Sequence, residues 1–179
     1  ASEVVSEVSI SRITLPNEDM KGRLIGREGR NIRSIESATG VDVIIDEVPE
    51  TITISCFDPI RREVAKLTIE NLIRDGRINP ARIEETIKIV KRDLDKNIKK
   101  IGQKATFDIN VKGLHPELIY HIGMLDYRFS YGENVLNHSK EVGSIAGMLA
   151  SQIGANVEIA KTAGFLHDIG KSLTHEIDG

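Results

Sequence analysis

Apolar residues fall at Val8, Ile10, Ile13 and Leu15 among Ser, Arg and Thr. This near-alternation predicts a half-buried strand over residues 8–15, with a slip in register at Ser11-Arg12. Pro16-Asn17 closes it. Asn17 caps a predicted helix from Glu18 to Ile25, which carries carboxylates in its first turn. Gly26 and Gly29 bracket a tight connection to a second helix from Arg30 to Thr39. That helix turns Ile32 and Ile35 inward and stops at Gly40. Residues 41–48 and 51–57 read as two further strands, separated by a turn at Pro49-Glu50. Asp58-Pro59 starts a helix that runs to about Arg74, with Ile60, Val64, Leu67 and Leu72 or Ile73 near one face. Asp75-Gly76 ends it. The predicted order is β-α-α-β-β-α.

Asn79-Pro80 opens a longer helix from Ala81 to about Ile101. Its Ile83, Ile87, Val90, Leu94, Ile98 and Ile101 recur at three- and four-residue steps. The remaining faces are densely charged, as on a solvated connector. From Lys104 the pattern is helical with small residues. A short helix starts at His115-Pro116, a long one covers residues 133–153, and another covers 156–169. No internal repeat or low-complexity stretch interrupts it. The chain divides into an α+β unit over 8–76, a connector helix over 77–103 and an all-α part over 104–179.

Composition narrows the partners. Hydrophobic residues make up 40% and charged residues 28%, the balance of a soluble globular chain. Aromatics are 4% and Trp is absent, so any core is built from Ile, Val, Leu and Ala. A net charge of -3 gives no global argument for nucleic acid, and such a site must be a local basic patch. The single cysteine, Cys56, excludes an intrachain disulfide and suits a reducing, cytoplasmic setting. In its apolar strand pattern it reads as a small buried hydrophobe. There is no signal peptide and no apolar run long enough to span a membrane. The chain begins at Ala1 and stops at Gly179 just past a dense motif, so both ends read as cuts in a longer protein.

A local basic patch exists. Over residues 21–33, Lys21, Arg23, Arg27, Arg30 and Arg33 stand against the single acid Glu28, a local charge of +4. They surround a glycine-bracketed turn at the start of a helix. Such a turn lets the backbone approach phosphates, and the helix start offers them free N–H groups. A lone G-x-x-G is an ordinary helix corner as often as a site. Here Leu24-Ile25-Gly26-Arg27-Glu28-Gly29-Arg30-Asn31-Ile32, set within β-α-α-β-β-α, resembles the signature of type I KH domains. The resemblance implies a three-stranded sheet, and about four unpaired nucleotides held in a groove by the Gly26–Gly29 loop. Ile25, Ile32 and the strand around residues 43–45 would floor that groove, or are plain core. Glu28 argues for modest affinity.

The second motif is Phe165-Leu166-His167-Asp168-Ile169-Gly170-Lys171. Adjacent His and Asp offer one metal a nitrogen and an oxygen, and a His on a neighbouring helix completes one side of such a site. His138 shares a face with Val135, Val142, Ile145 and Leu149, so the ring points inward. Alone, His138 reads as a buried structural histidine, and His167-Asp168 as a pair meeting a helix dipole. Together, with the small residues Ala160, Ala163 and Gly164 between them, they favour a metal. This half resembles the HD phosphohydrolase superfamily, whose pattern is a His, a His-Asp pair and a distant Asp on helices. His138, His167 and Asp168 match as metal ligands, and Lys171 matches a lysine that contacts phosphate. The distant Asp has no match, since Asp178 is too close to the pair. The all-α part is therefore expected to be the incomplete, N-terminal portion of an HD domain. His115 reads as a helix start, His121 as structural or exposed, and His175 as a loop residue.

A KH domain followed by an HD domain resembles a family of bacterial endoribonucleases that initiate mRNA decay. The resemblance implies single-stranded RNA as substrate, with His167, Asp168 and Lys171 catalytic. It also implies a divalent metal in the HD domain (Mn, Mg or Zn) whose bound water attacks a phosphodiester. Members self-associate and join an RNA-degrading assembly at the cytoplasmic face of the membrane. They are anchored there by a helix and coiled coil that precede the KH domain, so this stretch makes no membrane contact itself. Two other readings remain: an RNA-binding module that cuts little or nothing as it stands, and an HD phosphodiesterase of nucleotides or cyclic nucleotides. The KH-like half disfavours the last. Gly26→Asp with Gly29→Asp is expected to weaken single-stranded RNA binding greatly in a fluorescence titration and to leave the fold intact.

Overall fold

A computed structural model describes residues 9–173. These residues form two compact units that divide between Leu94 and Asp95. The first is built on strand β1 (Ile10–Thr14), helices α1 (Glu18–Ile25) and α2 (Arg30–Thr39), strands β2 (Asp42–Ile45) and β3 (Thr51–Ser55), and helix α3 (Pro59–Asp75). The sheet is antiparallel in the order β1-β3-β2. This is the predicted β-α-α-β-β-α order.

Strand β3 lies at the centre because its alternation is the cleanest. Ile52 and Ile54 are fully buried, while Thr53 faces the other way and donates to Asp46 Oδ2. β1 pairs with it without interruption, Ser11 opposite Ile54 and Ile13 opposite Ile52, so the predicted register slip at Ser11-Arg12 does not occur. Ser11, Ile13 and Leu15 share the core face, and Ile10 lies half-buried on the other. Val8 lies outside the described residues. The predicted strands at 41–48 and 51–57 are both shorter. Their apolar ends, Val48 and Phe57, are exposed and make no ladder. Cys56 follows β3 half-buried, less enclosed than its pattern suggested.

The caps follow the sequence. Asn17 accepts the Met20 N–H at 2.9 Å, and Asp58 accepts those of Ile60 and Arg61. In α3 the core stripe is Val64, Ala65, Thr68, Ile69 and Leu72, rotated from the predicted one, which leaves Leu67 half-buried.

Helix α4 spans Pro80–Asp108, seven residues beyond its expected end. Its Ile83, Ile87, Val90 and Leu94 are buried in the first unit, and Ile98 and Ala105 in the second. The second unit continues with α5 (Pro116–Met124), a hairpin of β4 (Phe129–Ser130) and β5 (Glu133–Asn134), α6 (Val135–Gln152) and α7 (Val157–Leu166). The expected helix at 133–153 is therefore preceded by a hairpin strand. The expected helix at 156–169 ends at Leu166, and a 3-10 turn follows at Ile169–Ser172. Ala105, Val111, Ile122, Leu125, Val135, Leu136 and Phe165 form the core.

Two helix pairs here pack backbone to backbone. On Gly102 of α4 a Cβ would lie 1.9 Å from the Ile119 carbonyl oxygen, and on Gly123 of α5 it would lie 2.0 Å from that of Ile98. α6 and α7 meet through Gly143, Gly147 and Gly164. Because α7 docks on this glycine side, Ile145 and Leu149 of α6 face outward, 52% and 55% exposed, rather than inward with His138 as their spacing suggested.

Gly102→Ala is expected to destabilise the fold by about 3 kcal/mol through overpacking against Ile119. Gly22→Ala, where no atom lies within 4 Å, should be neutral or stabilise by about 0.5–1 kcal/mol. Chemical denaturation of both variants checks this contrast.

Candidate functional site

The predicted basic turn folds as a compact corner between α1 and α2. Gly26 (φ 73°, ψ 170°) adopts a conformation open essentially to glycine alone, and Gly29 (φ 74°) is left-handed. Glu28 between them is also left-handed at φ 54°, which the residue pattern did not signal. The Gly26 N–H donates to the Gly22 carbonyl at 3.0 Å, and the Gly29 N–H to that of Gly26 at 3.1 Å. α2 begins without a side-chain cap and without an acid in its first turn; its first amide, that of Arg30, donates to the Arg27 carbonyl, and the next ones are left for an anion.

The five basic residues separate into two groups. Lys21 donates to the Asp46 and Val48 carbonyls at 2.6 and 3.0 Å, tying α1 to the β2–β3 turn. Arg23 donates to the Gly76 carbonyl. Arg27, Arg30 and Arg33 are exposed and enter no ion pair among the described residues. Of the expected groove floor, Ile32 is buried core and Ile25 half-buried, whereas Ile44 and Ile45 on edge strand β2 are 46% and 41% exposed. Glu28 is exposed on the loop.

Asn31 positions this corner, a role that sequence reasoning missed. It is 7% exposed, and its Nδ2 donates to the Arg23 carbonyl at 2.9 Å, bridging the end of α1 to the start of α2. A Cβ on Gly26 would lie 2.7 Å from that same nitrogen. Gly26→Asp therefore disturbs the corner itself, contrary to the expectation that the fold is untouched. At Gly29 a Cβ meets only the mobile guanidinium of Arg33, at 3.3 Å, and Asp tolerates left-handed backbone.

The second site lies where α6 begins and α7 ends. α7 returns antiparallel after a short turn, and Gly143 and Gly164 let the two helices approach. That brings His138 beside His167, with ring centroids 5.2 Å apart. His138 Nε2 lies 3.8 Å and His167 Nε2 3.4 Å from Asp168 Oδ2. One ligand atom from each of the three residues falls within 4.8 Å of the others. His167 Nδ1 is 2.7 Å from the Gly164 carbonyl and must donate to it. The free pair of Nε2 then faces the cluster.

A tetrahedral metal with bonds near 2.0–2.2 Å separates its ligands by roughly 3.3–3.6 Å. The separations of 3.4 and 3.8 Å lie near that range and all three donors fall within 4.8 Å, a set that could hold a divalent cation. Lys171 Nζ donates to the same Asp168 oxygen at 2.8 Å. Burial raises the Asp168 carboxyl, but the Lys171 hydrogen bond and the charges of His167, Lys171 and His138 outweigh it. The acid is held below the ordinary carboxylate range and is ionised at neutral pH.

Around this cluster, Arg128 donates to the carbonyls of Lys171 and of Leu173, the latter at 2.9 Å, and fastens the turn that follows Asp168. His121 pairs with Ser172 Oγ at 2.8 Å, in keeping with a structural role, and His115 caps α5. His175 and Asp178 lie outside the described residues.

Family models match this architecture: the KH domain over residues 10–71 and the HD domain over 135–179. The chain thus joins a KH domain to a domain of the HD family of metal-dependent phosphohydrolases. Over its whole length it is similar to ribonuclease Y proteins, with 60% identity to that of Thermosipho melanesiensis, 57% to that of Lawsonia intracellularis and 55% to that of Latilactobacillus sakei. Along its whole length the chain is thus homologous to a segment of ribonuclease Y. It is covered completely in these comparisons and spans about a third, 34–35%, of the relatives' own length. No solved structure matches it. No helix among the described residues is long and apolar enough to cross a membrane.

Asn31→Ala should cost about 1–3 kcal/mol, because the Arg23 carbonyl loses its partner at the corner. RNA affinity should fall with it, as read by thermal unfolding and an RNA titration on the same sample.

Proposed function

We propose that this chain is the RNA-binding and metal-binding portion of an endoribonuclease that cuts single-stranded RNA and initiates mRNA decay. The observation that carries the reading is the pairing, on one chain, of a basic Gly26–Gly29 loop with the His138, His167 and Asp168 cluster, whose donor atoms lie within 4.8 Å. In this reading residues 8–76 bind RNA, 77–103 connect, and 104–179 form the first part of the catalytic domain.

Gly26, Arg27, Glu28 and Gly29 hold the RNA backbone, with Arg30 and Arg33 beside them. Lys21 and Arg23 act by bracing the helix that leads into the loop. His138, His167 and Asp168 ligate the metal. Two imidazoles and a carboxylate suit Mn2+ or Zn2+ better than Mg2+. When bound, such an ion activates water and stabilises charge on a phosphodiester. Gly164 aims His167 through its ring N–H, and Lys171 keeps Asp168 anionic and offers a cation to the phosphate. By its kinship the intact protein self-associates within an RNA-degrading assembly at the cytoplasmic face of the membrane. A phosphodiesterase of small nucleotides has no use for the KH loop and ranks second.

Two substitutions in the full-length protein separate the sites. His167→Ala should lower Mn2+ affinity and the cleavage of single-stranded RNA by about 100-fold or more and leave RNA binding unchanged. Gly29→Asp should weaken RNA binding roughly tenfold with metal binding intact. Metal titration, gel-based cleavage and fluorescence anisotropy read the three quantities. Unimpaired RNA cleavage by the His167→Ala protein refutes the assignment.

A further inference from the structure

The cleft that opens on His138, Asp168 and Lys171 measures about 90 Å³. This small, polar-lined space suits a phosphoryl group better than a base, so a nucleic acid engaged here keeps its bases toward the rim. Ser130, Tyr131 and Glu133 of the β4–β5 hairpin form part of that rim. The Glu133 carboxylate repels a second phosphate, so base rather than backbone fits over the hairpin.

Tyr131 stands at the hairpin tip and is 94% exposed. Its backbone is left-handed at φ 53°, and Gly132 follows at φ 80°. Ser130 pairs with Glu133 and Phe129 with Asn134, so Tyr131-Gly132 is a two-residue loop with positive φ at both positions. Such loops favour Asn-Gly or Asp-Gly, and a bulky aromatic in the first place is strained. No core packing among the described residues offsets that strain, because the ring lies outside their core.

The hairpin backbone that carries the ring is nevertheless anchored at its base. The Val135 N–H donates to the Arg128 carbonyl at 3.0 Å, Asn134 Nδ2 to that of Asp126 at 2.8 Å, and Arg128 reaches across to the Lys171 and Leu173 carbonyls. Backbone strain kept for an exposed side chain beside a reactive cleft is a mark of function.

We propose that Tyr131 is the stacking platform for the nucleobase next to the scissile phosphate. It is a positioning residue, and the inference rests on the endoribonuclease reading above. Stacking tolerates any base, since each presents a π-face, and it sets the distance from the base to the metal cluster.

The test uses the full-length protein with Mn2+ and paired single-stranded RNA oligonucleotides that carry either a base or an abasic ribose beside the cleaved bond. The ratio of their kcat/KM values cancels the contribution of the KH loop. A preference of about tenfold for the base is expected, kept in Tyr131→Phe and Tyr131→Trp and reduced below about threefold in Tyr131→Asn. Asn suits the turn, so that variant should unfold no earlier than the parent, which separates lost stacking from lost structure. In metal-free protein, an RNA carrying 4-thiouridine at the same position should crosslink to the hairpin in the parent and not in Tyr131→Asn. A preference or crosslink unchanged by Tyr131→Asn overturns the role of Tyr131 and leaves the nuclease reading standing. A parent that cuts no RNA overturns both.

Discussion

Two glycines in van der Waals contact govern where the candidate metal ligands lie. A Cβ on Gly164 would sit 3.0 Å from the Gly143 Cα and 3.0 Å from the Val142 carbonyl, so α6 and α7 run closer than any side chain between them would permit. Ordinary helix pairs keep their axes about 8–10 Å apart, set by the side chains at the contact. His138 and His167 belong to different helical segments, and a spacer at Gly143 or Gly164 would part them. The ligand set is therefore a product of backbone approach as much as of ligand chemistry. Gly102 and Gly123 do the same for α4 and α5, which carry part of the core under Val135, Leu136 and Phe165.

Both candidate sites are helix ends whose orphan backbone groups aim a side chain or accept one. At the end of α7 the Gly164 carbonyl takes the His167 ring N–H and turns the other nitrogen toward Asp168. At the end of α1 the Arg23 carbonyl takes the Asn31 amide, and that contact sets how the Gly26–Gly29 corner closes. Each carbonyl lies in a final helical turn, where an intrahelical partner is lacking. Local backbone geometry and site geometry are thus one problem in this protein.

Much of this was legible in the sequence because the signals were local. Asn17, Asp58, His115 and Asn156 mark helix starts, Gly40 and Gly76 mark stops, and Thr51–Ser55 alternates cleanly. The His138, His167 and Asp168 grouping was legible from residue type and from helices that bring them together. What escaped depended on the partner surface. The buried face of α6 runs through Ser139, Gly143 and Gly147, and glycine carries no hydrophobic signal, so Ile145 and Leu149 were read as inward. Asn31 looked like an ordinary polar residue on a helix, since its partner is a main-chain carbonyl eight residues back. The two-residue strands β4 and β5 are too short to show a period at all, although Tyr131-Gly132 carries half of a turn signature.

The distribution of ion pairs has a kinetic consequence. Around α4 several cations are matched to acids: Arg77 and Arg82 to Asp75, Lys88 to Glu84, Lys99 to Asp95, and Lys104 to Asp108. Their fields largely cancel beyond a few ångströms. Arg27, Arg30 and Arg33 have no such partner among the described residues; Arg12, Lys66, Arg74 and Lys91 of the first unit lack one too, but the three arginines are gathered at one corner and add their fields there. A polyanion diffusing toward that unit is turned to meet the glycine corner before any contact forms. The net charge of -3 sharpens this, because the remaining surface mildly repels the same polyanion. Encounter is thereby oriented by this cluster of unmatched charges, and this guidance fades as salt shortens the Debye length from about 10 Å at 0.1 M to about 3 Å at 1 M.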